Sequence, residues 1–209
     1  GVPMAPDTPS RPVGTRNEAQ SRLRDLVKAY EWLVESDPAS AVYHNQLGLA
    51  LLETGRLQAS VNTLRKATEL SPDFVTGWNN LAFALIQVGE LEESIKASER
   101  AIKLDPTYGL AYGSKANALV KLGRLDEAIA VGKQATELQP RNAVLRINLA
   151  NTLVMANKPD EALTHIQIAH AIIPGHPMVV GLARRISQMM GYAQPAPPGG
   201  SPQGAGPYG

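Results

Sequence analysis

Side-chain amides recur at fixed steps along this sequence. Gln46, Asn80 and Asn148 share one column with Ser114, and Asn117 and Asn151 share another with Leu49 and Phe83, three residues further on. Positions three apart on a helix lie on one face. An amide carries both a donor and an acceptor, the pair that an extended peptide backbone presents in reverse, so a column of amides can hold a chain without reading its sequence. Gln46, Asn80, Phe83, Asn117, Asn148 and Asn151 are therefore the candidate partner-binding residues. Val42, Leu52, Thr76, Ile86, Leu110, Val120, Val144 and Val154 lie near them in the pattern and are expected to frame apolar pockets. Each amide contact contributes about 1 kcal/mol net, whereas micromolar binding needs about 8, so those pockets must supply the rest and the partner is expected to be extended and partly apolar. The same amides could instead bond to the neighbouring segment and fix its stacking, and for the first three amides both readings stand.

No constellation points to catalysis or to a bound cofactor. His165, His170 and His176 are spaced five and six apart, which does not stack them on one helix face, and no carboxylate completes a metal site. Glu92-Glu93 and Asp126-Glu127 stand where helices begin, where acidic side chains meet the positive end of the dipole, and are read as helix starts. Nucleotide-binding loops, zinc-protease motifs and nucleophile elbows are absent from the sequence. Catalytic residues, metal ligands and cofactors are thus all expected to be none.

The elements that carry the amides come from an internal repeat. Pro72, Pro106, Pro140 and Pro174 fall 34 residues apart, with Pro38 one period earlier. Between them Ala67, Ala101, Ala135 and Ala169 form one column of small residues, Ser60, Ser94, Ala128 and Ala162 a second, and Gly48, Ala82, Ala116 and Ala150 a third. Trp78, Leu81, Leu85 and Val88 keep helical spacing up to Gly89; a second amphipathic run follows, with Leu91, Ile95, Ala101 and Leu104 inward, until Asp105-Pro106 stops it. Each period is a helical hairpin whose turn holds Gly55, Gly89, Gly123 or Asn157, the residue types that tolerate a left-handed backbone.

The pattern resembles the tetratricopeptide repeat, a helix-turn-helix unit of this length. Trp78, Leu81, Ala82 and Leu85 carry the resemblance in one copy and His44, Leu47, Gly48 and Leu51 in another. Departures at Tyr112, Lys115 and Arg146 suggest looser first helices there, and Ser98 and Gly132 suggest soft spots in two second helices. The resemblance implies an all-α, right-handed α-solenoid (superhelix) whose concave groove is lined by first helices and binds peptides or partner proteins. The amide column is similar, in part, to the asparagine ladder in the tetratricopeptide region of O-linked N-acetylglucosamine transferases, with Ser114 breaking it. The basic clamp with which some repeats hold chaperone tails has no counterpart, because Asn45, Leu49, Thr76 and Asn80 provide no cation.

The expected organisation is a Pro-rich tail (1–16), a capping helix (17–37), four repeats (41–74, 75–108, 109–142 and 143–176), a closing helix (177–190) with Arg184 and Arg185 facing solvent, and a Pro/Gly-rich tail (191–209). With 20 basic and 19 acidic side chains and no basic stripe, nucleic acid has little electrostatic reason to bind. No apolar run approaches the roughly 20 residues that span a bilayer. The absence of cysteine excludes disulfides and thiolate chemistry. Gly1 at the first position is what removal of a leader, or a cloning scar, leaves, and points towards an exported protein of the periplasm, envelope or exterior.

The functional expectation is a non-enzymatic protein–protein interaction scaffold that holds a partner chain in its groove or along its tails. The alternative is a structural subunit of a repetitive filament or envelope assembly whose tails lie on neighbouring copies. A third is the non-catalytic domain of a larger enzyme.

Overall fold

The structure is a computed structural model and describes residues 16–191. Among the described residues it contains ten helices and no strand: α1 (Arg16–Ser36), α2 (Ala41–Glu53), α3 (Leu57–Leu70), α4 (Val75–Val88), α5 (Leu91–Leu104), α6 (Gly109–Lys121), α7 (Leu125–Leu138), α8 (Ala143–Met155), α9 (Pro159–Ile172) and α10 (Pro177–Met189). The chain divides into two compact units, 1–118 and 119–209, with the boundary inside α6. Both tails, and with them the expectation that they lie on neighbouring chains, fall outside the described residues except at their inner edges.

Local chemistry sets the ends of these helices. Ser40 caps α2 by accepting from the Tyr43 amide, and Asn142 caps α8 by accepting from Val144 and Leu145. The turns of the hairpins are left-handed: φ is 76° at Gly55, 86° at Gly89, 76° at Gly123 and 56° at Asn157, the one described non-glycine residue with positive φ. Pro159 opens α9, where no backbone donor is required.

In the N-terminal unit, α1 covers α2 by packing Val27 against Leu47, Ala50 and Leu51. The small-residue columns then explain how the hairpins close. Ser60 Oγ donates to the Gly48 carbonyl at 2.7 Å, and Ser94 Oγ donates to the Ala82 carbonyl at 2.8 Å. Both bonds join the two helices of one hairpin at their crossing and satisfy a fully buried hydroxyl. At Gly48 the approach is so close that an added Cβ would lie 2.5 Å from Leu64 Cγ. Hairpins are then stacked by Val61 and Leu64 of α3 against Leu81 and Leu85 of α4. Arg65 reaches from α3 to Glu93 of α5 at 2.8 Å, across the solvent face.

In the C-terminal unit, α8 lies against α7 and α9, and α10 packs on both α8 and α9. Its core joins Leu149, Ala150 and Leu153 of α8 to Ala162, Ile166 and Ala169 of α9 and to Val179 and Ile186 of α10. Lys133 of α7 meets Glu161 of α9 at 2.7 Å, the same step along the pattern as Arg65 to Glu93.

Two expectations of loose packing are corrected. The fourth residue of each first helix anchors the turn before it: His44 Nε2 lies 3.0 Å from the Pro38 carbonyl, Trp78 Nε1 donates to Pro72 at 3.0 Å, Tyr112 Oη to Pro106 at 3.0 Å and Arg146 Nε to Pro140 at 3.2 Å. What the position demands is a long side chain with a donor, not an aromatic ring, so Tyr112 and Arg146 fulfil it as Trp78 does. Lys115 pairs with Glu99 at 2.7 Å. At Gly132, Leu149 fills the space, its Cδ1 only 3.1 Å from where a Cβ would stand. Ser98 remains a weak point, because its buried hydroxyl has no partner among the described residues.

Candidate interaction surface on the first helices

In the N-terminal unit the candidate residues are carried by α2, α4 and the first part of α6. The sixth residue of one first helix bonds to the fifth residue of the first helix before it: Asn80 Nδ2 donates to Asn45 Oδ1 at 2.9 Å, and Ser114 Oγ donates to Asn79 Oδ1 at 2.8 Å. Asn45, Asn79 and Ser114 are buried, so these bonds sit in the seam between adjacent first helices and fix their stacking. Ser114, which breaks the amide column as a ladder, continues it as a stacking bond.

Beside that seam the surface is open. Among the described residues no group bonds the side-chain amides of Gln46 or Asn117, and both are half-buried. Phe83 is 44% exposed, Val42 54% and Leu110 36%, all on the first helices. Ile86, expected to frame a pocket here, is buried instead at 4%.

In the C-terminal unit, Asn148 is half-buried with no bond to its amide among the described residues, and Asn151 is exposed, its amide Nδ2 4.0 Å from the Met155 sulfur. Val144 stands beside them, 60% exposed. Val154 lies inside the core with Leu153 and Ile166 and does not line this face. Sequence reasoning did not name Met155, Met178 or Met189, which are exposed. The last two stand on α10 one period after Val144 and Met155, and α10 packs against α8. Carrying the 34-residue step past residue 176 would have found them.

The titratable groups settle elsewhere. His165 Nδ1 lies 3.1 Å from Arg146 Nη1; burial first, then the Arg146 and Lys133 charges, holds its pKa below the usual histidine value. His170 and His176 are exposed. The hydrogen bond from Arg65 holds the Glu93 carboxyl below the usual glutamate range, and Lys133 does the same for Glu161. Asp126 and Glu127 open α7, where Glu127 takes two bonds from Arg124 at 2.7 and 2.6 Å. Among the described residues no three His, Cys, Asp or Glu side chains gather in a way that could hold a metal ion, and no helix is long and apolar enough to cross a membrane.

Comparison with known proteins yields matches to profiles described as "Tetratricopeptide repeat" at 79–143 and 119–186 and as "TPR repeat" at 48–89. Similar solved structures include TTC0263, a thermophilic TPR protein of Thermus thermophilus. It is 19% identical with a TM-score of 0.70, and the alignment covers 84% of this chain and 94% of that one. PilW, described as a widely conserved type IV pilus biogenesis factor, is 20% identical with a TM-score of 0.75, over 84% of this chain and 82% of that one. YrrB, described as a TPR protein with an unusual peptide-binding site, is 19% identical with a TM-score of 0.60, over 80% of this chain and 86% of that one. At these identities the likeness is one of fold. No curated protein matches by sequence.

Proposed function

The chain belongs to the tetratricopeptide repeat family, and on that premise we propose that it is a non-enzymatic scaffold which binds an extended, partly apolar segment of a partner protein on the exposed face of its first helices. The observation that carries this reading is the exposure of Phe83, Val42 and Leu110 on the helices that carry the amides of Gln46 and Asn117, which no group bonds among the described residues. Exposed apolar side chains rimmed by polar groups are the mark of a surface that is covered in use. The amides match a peptide backbone, and the apolar side chains supply the several kcal/mol that amides alone lack. Asn148, Asn151 and Val144 repeat the combination on the C-terminal unit. Asn80 enters differently, since one of its amide hydrogens is committed to Asn45.

Co-purification from the native source followed by mass spectrometry identifies the partner, and Phe83→Asp then tests the face. The variant is expected to keep the helical circular dichroism of the parent and to lose the partner. Retention of the same partner set by a folded Phe83→Asp/Asn148→Ala chain would remove the reading.

A further inference from the structure

We propose that the cleft between α9 and α10 seats an amphipathic helix of a partner protein, one that carries an acidic side chain in the middle of its apolar stripe, opposite Arg184. This site is separate from the first-helix face and does not depend on it.

The register of α10 is the starting point. Pro177 lies one period after Ala143, the first residue of α8, so α10 stands where a first helix stands. It also ends as first helices end: Gly191 has φ 75°, in the column of Gly55, Gly89 and Gly123, and its amide donates to the Gln188 carbonyl at 3.2 Å, as Gly55 does to Leu52 at 3.0 Å. No second helix follows it among the described residues.

The consequence appears in exposure. In the α8–α9 hairpin, Leu149 and Ala150 are 2% and 0% exposed because α9 covers them. One period after Ala150, Arg184 is exposed, and His170 is exposed where its counterpart Thr136 is buried; Val180, one period after the half-buried Arg146, is 42% exposed. What remains is a cleft of about 380 Å³ lined by the apolar Leu163, Ile166, Val179, Val180 and Ala183 and by Gln167 and His170, with Arg184 the residue next after the lining Ala183. Its shape is the bed of a second helix, and an apolar groove of that shape takes an amphipathic helix.

Arg184 specifies the occupant. It falls in the column of Gly48, Ala82 and Ala150, the crossing point of each hairpin, where the chain's own second helices place Ser60, Ser94 and Ala162. A small residue facing a guanidinium would leave that charge desolvated and unpaired, a costly arrangement. A carboxylate there forms a charge-assisted pair, and the longer side chains on both helices accommodate each other across a wider crossing. α10 and α8 contain no acidic residue, the acidic residues of α9 lie in its first turn, where Glu161 pairs with Lys133, and Arg184 has no ion-pair partner among the described residues. A second copy of the chain is a poor fit: its helix in the second-helix register is α1, which presents Leu26 at this crossing.

The test uses the full chain and fluorescein-labelled, lactam-stapled 14-residue peptides with the sequence of α9, carrying either Ala162→Glu or Ala162→Lys. Anisotropy titration is expected to show the glutamate peptide binding about tenfold more tightly than the lysine peptide. Arg184→Glu should invert that preference, and Val180→Asp should abolish binding of both. Both substitutions are at exposed positions, and should Val180→Asp fail to fold, the inversion by Arg184→Glu decides alone. Equal binding of the two peptides, a preference that Arg184→Glu leaves unmoved, or binding that survives in a folded Val180→Asp overturns the proposal. So does sedimentation as a dimer that Val180→Asp dissociates, which assigns the cleft to a second copy. A roughly tenfold gain in probe affinity on removing residues 192–209 overturns it as well, since the cleft would then belong to the chain's own end.

Discussion

Asn80 of α4 donates its side-chain amide to Asn45 of α2 across 2.9 Å, and Asn45 is 4% exposed. One bond thus ties two successive first helices directly beneath the surface on which a partner is proposed to lie. Asn80→Ala leaves the buried Asn45 oxygen without a donor and is expected to cost about 1–3 kcal/mol. Asn148→Ala, at the same position of the pattern but with an amide that no group bonds among the described residues, should change stability by less than about 0.5 kcal/mol. Urea unfolding of the two variants checks this, and equal losses would contradict the division of the amides into stacking and surface groups.

The anchoring of each first helix to the preceding proline carbonyl can be tested without changing shape. Tyr112→Phe removes only the hydroxyl that reaches Pro106 at 3.0 Å. A loss of about 0.5–1.5 kcal/mol is expected. Trp78→Phe also removes a donor, to Pro72, but loses ring volume as well, so its cost should be larger. If Tyr112→Phe is neutral, the donor is incidental to the position.

Close approach at the hairpin crossing predicts an overpacking penalty. Gly48→Ala sets a methyl 2.5 Å from Leu64 Cγ and should destabilise the chain by about 1–3 kcal/mol. Ala101→Leu, in another fully buried small column, is expected to cost a similar amount. Thermal denaturation of Gly48→Ala alone and with Leu64→Val is the measurement. The double variant should recover part of the loss, and strict additivity would show that Leu64 is not the obstacle.

Ser98 offers the opposite sign. Its hydroxyl is buried without a partner among the described residues. Ser98→Ala removes an uncompensated polar group at almost constant volume and is expected to raise stability by about 1 kcal/mol. A lower melting temperature for the variant would mean that the hydroxyl has a bond after all.

Acid sensitivity follows from His165. Its folded pKa lies below the 6.5 of a free side chain, because burial and Arg146 disfavour the imidazolium. The folded state therefore binds fewer protons than the unfolded state, so this contribution is complete above pH 6.5 and is lost as the pH falls through the folded value. The carboxylates Glu93 and Glu161 repeat the sign at lower pH, contributing above 4.5 and fading on further acidification. Chemical denaturation of the parent and His165→Gln between about pH 7.5 and 5 should show a downward slope that the variant lacks.

The sequence by itself determined the hairpins, their turns and the small-residue seams. Those features are local or strictly periodic: a left-handed turn admits Gly55 or Asn157 whatever surrounds it, and a helix face repeats every three to four residues wherever the chain goes. Tertiary structure alone decided the use of each amide. Asn80 and Asn148 are the same residue type in one column, yet Asn80 finds Asn45 thirty-five residues earlier, whereas no group among the described residues bonds the Asn148 amide. Whether a donor is spent inside the fold depends on what an adjacent helix places within about 3 Å of it, and that neighbour belongs to a different period. Burial of Ile86 and Val154, the reach of Arg146 to Pro140 and the open bed beside α10 were decided in the same way, by packing between segments that no single helical face describes.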